Sequence, residues 1–272
     1  MRTIINSQLE TLKNQKIAIL FSGGMDSLSL LLSCLDLHIK PHVYSFRLSS
    51  HESQDIVSVR KIINIFDLEY TEIVINNNLE NLIYDVSYII RTFEVKKKTQ
   101  VQCIHPFLYM VKEIKEKFIL TGLCADDIYG TSRKMQVLGR KNELDFYEKR
   151  LEKHKDIESS SYKFIKELFK IYNKNLIVPY KENNKLVNLL LSKTYNELHM
   201  SKQKNLTYEN YKYEIDEYNL YRRSSNLQVN SALREWHDLL LKTDLNIKGY
   251  KSVVGIYNVI YKNYMENKHD KI

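Results

Sequence analysis

At 272 residues the chain is long enough for one α/β core plus a smaller part, and its 41 Lys and Arg against 33 Asp and Glu give a net charge of +8. That balance suits polyanions such as ATP or RNA, although no Lys/Arg block stands out and the same charge also reads as an evenly solvated surface. Three scattered cysteines, Cys34, Cys103 and Cys124, support neither a zinc site nor a disulfide framework. Met1 to Lys16 is too polar for a signal peptide and no apolar run nears the roughly 18 to 20 residues of a membrane span, so a cytoplasmic protein with no membrane partner is expected.

Along the chain, Ile4 to Lys13 is a short amphipathic pattern. Lys16 to Phe21 reads as a strand, Ser22-Gly23-Gly24-Met25-Asp26-Ser27 as a tight turn, and Asp26 to about Leu37 as a helix. Adjacent glycines let backbone approach a ligand, and the unpaired N–H groups of the following helix point at it. Ser22 and Ser27 add hydroxyls. Asp26 would repel a bare phosphate, which suggests a bridging Mg²⁺.

His42 to Leu48 is the next strand, Ser53 opens a helix, and Tyr70 to Ile75 is a third strand, giving successive βαβ units. A helical stretch from Leu79 ends in the charged loop Glu94 to Lys98, and a second helix is expected from Pro106 to Lys117, with the proline in its first turn. Phe118 to Thr121 is a buried-type strand running into Gly122-Leu123-Cys124-Ala125-Asp126-Asp127-Ile128-Tyr129-Gly130, a turn that should lie near Ser22 to Ser27. After Gly139 long charged helices are expected, broken once at Leu176 to Tyr180. Tyr208, Tyr211, Ile215 and Tyr218 share one helical face, which reads as a packing stripe ahead of a base-stacking surface.

The Ser-Gly-Gly-Met-Asp-Ser string resembles the PP-loop of the ATP pyrophosphatases, and Thr121 to Gly130 resembles the Thr-Gly-Glu-Gly-Ala-Asp-Glu-Leu-Phe-Gly motif of the asparagine synthetase synthetase domain. The resemblance runs from about Lys16 to Gly255. It implies an open, mostly parallel α/β sheet with helices on both faces, with a PP-loop core at residues 1–139 and a mainly helical part at 140–272 that completes the substrate site.

By the same resemblance, Asp26 and Asp126 are Mg²⁺ ligands, and Ser22, Gly23, Gly24, Asp26 and Ser27 hold the phosphates of ATP. Backbone groups of Leu20, Phe21 and Gly122 meet the adenosine, with Ser45 beside it. Lys248 in Ile247-Lys248-Gly249, with Lys251 as second choice, stands for the family's lysine at the α-phosphate. The implied reaction transfers AMP to a carboxylate, releases pyrophosphate, and forms an amide with an amine or ammonia. Two departures matter. Leu123 stands where amide-forming relatives carry Glu or Tyr and cannot move a proton, and Cys124 replaces a glycine. Adenylation of an RNA base, and nucleotide binding without turnover, therefore remain as alternatives.

Overall fold

A run of four apolar residues with no polar face belongs in the middle of a sheet, and β1 (Ile17–Leu20) lies there with all four residues buried. The computed structural model describes residues 1–157, 160–223, 227–246 and 248–269. Five parallel strands pair in the order β3-β2-β1-β4-β5, where β2 is His42–Leu48, β3 Tyr70–Ile75, β4 Phe118–Thr121 and β5 Asn175–Ile177. Successive side chains of β1 point to opposite faces. Ile17 and Ile19 pack with Leu28 and Leu31 of α2 (Met25–Asp36), whereas Ala18 and Leu20 pack with residues of α4 (Leu79–Phe93) and α5 (Lys98–Glu113). The open parallel sheet with helices on both faces, followed by a mainly helical C-terminal region, is thus the observed fold.

The register sets where a ligand can go. Leu20 pairs with Tyr44 on one side and Thr121 on the other, so β1, β2 and β4 reach similar heights. Chain order reverses between β1 and β4, and their exits leave a crevice at the carboxyl ends of the two strands.

Three elements differ from expectation. Pro106 lies inside α5 instead of opening a helix. A proline there removes one backbone donor and costs about 3 kcal/mol, which burial of Val101, Ile104, Phe107 and Leu108 in the sheet-covering cluster offsets. The helices are interrupted at Leu176 as expected, but the interruption is a strand: Leu176 and Ile177 belong to β5, which extends the sheet through Ile119↔Leu176. Finally, the helices after Gly139 are mostly short. Asn183 caps Asn184–Leu191 and a Thr194/Glu197 capping box starts Tyr195–His199, each cutting what looked like one run. The tyrosine stripe accordingly spans two short helices; Tyr208, Tyr211 and Ile215 are buried and Tyr218 is partly exposed.

Beneath the helices covering one sheet face runs a buried polar chain. Asp85 accepts from His105 Nε2 (3.0 Å), His105 Nδ1 from His237 Nε2 (2.9 Å), and His237 Nδ1 from the Tyr257 hydroxyl (2.5 Å). In this pattern His237 is neutral, with Nε2 donating and Nδ1 accepting. Burial, with the charge of Lys98 nearby, holds its pKa well below the usual histidine value. Such a group contributes stability above the unfolded pKa, near 6.5, that is lost as pH falls below it. In thermal unfolding between pH 6.5 and 5, His237→Gln is expected to lose stability less steeply than wild type, by up to about 1.4 kcal/mol per pH unit. Parallel profiles would contradict this.

Candidate functional site

The turn after β1 is a glycine-lined cradle that opens onto the crevice. Gly24 caps α2 with extended backbone, and Gly23 has φ +69°, a conformation costly for other residues. Ser27 Oγ donates to the Gly24 carbonyl (3.1 Å) and accepts from the Ser22 N–H (3.3 Å), which closes the turn over the first helical N–H groups. Across the crevice, a Cβ on Gly122 would lie 2.8 Å from Asp26 Cβ and 3.0 Å from the Ser27 nitrogen. Only glycine lets the end of β4 approach the loop this closely.

Asp26 and Asp126 are brought together, and what joins them is a residue the sequence motifs do not contain. Lys204 is 1 % exposed. Its ammonium contacts Asp26 Oδ2 and lies 2.8 Å from Asp126 Oδ1. Burial opposes the charge on Lys204, but the two carboxylates outweigh it and raise its pKa. Burial, with the neighbouring charge of Asp126, pushes the Asp26 carboxyl up to about 6 against the pull of the lysine. At neutral pH the arrangement is one ammonium between two carboxylates, with net charge −1.

Local structure holds this lysine in place. Lys204 has φ +61° at the start of the helix Asn205–Asn210. Its N–H donates to His199 Nδ1 (3.5 Å), while His199 Nε2 donates to the Tyr129 carbonyl (2.8 Å). The ammonium also sits 5.8 Å from the centre of the Tyr129 ring, whose hydroxyl bonds Thr207 (2.6 Å). Tyr129 belongs to α6 (Ala125–Tyr129), the helix that carries Asp126. Buried Arg150 fixes α6 in turn by donating to the Ile128 carbonyl (2.7 Å) and to that of Lys193 (2.9 Å).

These carboxylates fit a hard divalent cation. Asp26 Oδ1 is buried with no hydrogen-bond partner among the described residues, and the Asp126 side chain is 54 % exposed beside the loop. Among the described residues no group of three potential ligands exists, so the protein offers two carboxylates and leaves the remaining positions to phosphate and water, the usual setting for Mg²⁺.

The crevice encloses about 280 Å³. Of the residues singled out from the sequence, Leu20, Phe21, Ser22, Gly24, Asp26, Ser27, Ser45, Gly122 and Asp126 line it. Gly23 packs away from it against Ser58 and Val59. Ser45 is buried with its hydroxyl on that of Tyr70 (2.6 Å). Lys248 and Lys251 are exposed and outside the lining, and Ile247 lies outside the described residues. The cations that the sequence reading missed are Lys204, behind the carboxylates, and Arg222 and Arg223 in the lining. Leu123 lines the cavity beside Asp127, which Lys153 engages at 3.0 Å.

Removing Lys204 takes away the ammonium that the two carboxylates share. Lys204→Gln is expected to lower stability by about 3 kcal/mol in chelator, as breaking a buried pair does, and added Mg²⁺ should raise its unfolding temperature more than it raises that of wild type. An equal metal response in both proteins would contradict the shared position.

No curated protein matches the chain. Among solved structures, a predicted subunit of tRNA methyltransferase from Methanocaldococcus jannaschii aligns with a TM-score of 0.36 and 16% identity over 65% of this chain and 74% of that one. The U34-tRNA thiolase NcsA from Methanococcus maripaludis, solved with its 4Fe-4S cluster, aligns with a TM-score of 0.35 and 15% identity over 97% and 76%. The asparagine synthase family matches residues 6–248, a span that includes the glycine turn, both aspartates and Lys204. By that match the chain belongs to the asparagine synthase family.

Proposed function

We propose that this protein is an ATP-dependent ligase that transfers AMP to a carboxylate, releases pyrophosphate, and then joins the activated acyl group to a nitrogen nucleophile. The observation that carries this reading is the meeting of Asp26 and Asp126 at the mouth of the glycine turn. In it, the N–H groups at the start of α2 and the hydroxyls of Ser22 and Ser27 bind the phosphates. Backbone at Leu20, Phe21 and Gly122, with Ser45, receives the adenosine. Mg²⁺ held by the two aspartates would neutralise charge on the phosphates. The substrate carboxylate oxygen attacks the α-phosphorus, and the bond to the bridging oxygen breaks with its electron pair leaving on pyrophosphate. The loop dipoles are already aimed where that charge develops, and both reactants are held beside each other.

Leu123 leaves the incoming nitrogen without the usual proton acceptor. An amine that arrives unprotonated, or ammonia, meets this constraint, and Asp127 is the neighbouring carboxylate of the lining.

Adenylation of an RNA base is the competing reading, and the net charge of +8 favours it. A thiol relay does not fit well. Burial, with Asp127 nearby, pushes the Cys124 thiol up to about 12, and burial pushes Cys103 up to about 11, so neither is a ready thiolate at neutral pH.

Isotope exchange between pyrophosphate and ATP tests the proposal. Exchange stimulated by a small carboxylate and reduced about a hundredfold or more in Asp26→Ala is expected. Release of ADP and phosphate would contradict it, stimulation by RNA alone would select the RNA reading, and nucleotide binding without AMP formation would mark a protein without turnover.

A further inference from the structure

The cavity is lined by four carboxylates, Asp26, Asp55, Asp126 and Asp127, yet the ligand proposed for it is a polyanion. Lys204 serves two of them, and Lys248 and Lys251 lie outside. Arg222 is placed differently. It lines the cavity, and its Nη2 lies 2.9 Å from Asp55 Oδ1. Asp55 stands in the first turn of α3 (Gln54–Phe66), and its carbonyl oxygen comes within 3.4 Å of where a Cβ on Gly23 would be. Asp55 and Arg222 line the same cavity as Ser22, Gly24 and Ser27 of the turn. Arg222 Nη1 is buried and has no hydrogen-bond partner among the described residues. A buried guanidinium donor left unpaired is costly, and here it belongs to a residue facing a cavity built for phosphate. Asp55 does not depend on Arg222 alone, because its Oδ2 also accepts from Asn230 Nδ2.

We propose that Arg222 is a ligand of the pyrophosphate group, held on Asp55 while the cavity contains no anion and turned to the phosphates when one enters. The assignment rests on the AMP-forming reading for naming pyrophosphate as the leaving group. A guanidinium offers a planar fork that matches two phosphate oxygens, so it binds the departing group and balances its charge. Asp55 competes for the same fork and sets how readily the arginine is released.

Calorimetric titration of the full chain with inorganic pyrophosphate plus Mg²⁺, and separately with AMP, tests this. Arg222→Gln should weaken pyrophosphate binding about 10- to 100-fold and change AMP binding by no more than about twofold. Arg222→Lys should recover part of the loss. Asp55→Asn should tighten pyrophosphate by about two- to fivefold, since it removes a competing ion pair. The proposal is overturned if wild type does not bind pyrophosphate, if Arg222→Gln binds it normally or loses AMP equally, or if Asp55→Asn weakens it. Pyrophosphate binding needs no acceptor, so binding through Arg222 together with absent ATP exchange would refute the ligase and leave this assignment standing.

Discussion

Two carboxylates at the ends of adjacent strands repel each other, and the sheet gives them no freedom to separate. The register of β1 with β4 and the absence of a side chain at Gly122 bring the second turn against Asp26. Lys204 relieves the repulsion. At about 4 Å and an effective dielectric near 20, each contact is worth roughly 4 kcal/mol before desolvation is counted, which is the scale needed to keep an ammonium buried. Because Lys204 comes from the start of Asn205–Asn210, far along the chain from β1, the helical region is tied to the strand ends by charge as well as by packing.

That tie explains the scaffolding around it. Tyr129, His199 and Thr207 together fix the backbone turn that presents the lysine, and Arg150 holds α6 through carbonyl oxygens with no carboxylate partner. The site is thus a cation-sharing device. One ammonium contacts both aspartates, Asp26 Oδ1 has no hydrogen-bond partner among the described residues, and the Asp126 side chain is half exposed. A nucleotide arriving with a divalent cation would find both carboxylates already positioned by the fold and would need little reorganisation, which is the advantage of a preorganised site.

Much of this was legible in the sequence where local chemistry decides the outcome. The bounds of β2, β3 and β4 follow from apolar runs between turn residues, and the two turns carry glycines and aspartates that few structures need together. What was hidden depends on tertiary context. β5 has three residues, one of them Asn175, and is a strand only because β4 offers a partner edge. Pro106 reads as a helix start because its cost inside a helix is offset by burial that sequence does not display. Lys204 and Arg222 are two of 41 basic residues, and only the folded chain shows one buried between carboxylates and the other paired with Asp55 in the cavity lining. Lys248 has a suggestive sequence setting, yet its segment is exposed and away from the cavity.

We infer that Asp26 and Asp126 share a cation at the turn of Ser22 to Ser27, and that ATP bound there would be cleaved between its α and β phosphates. Anomalous diffraction from crystals grown with Mn²⁺ and α,β-methylene ATP tests it most directly. The account predicts one manganese peak touching both carboxylates, with the phosphates over Ser22 to Ser27. Manganese elsewhere, or phosphates bound away from that turn, would contradict it.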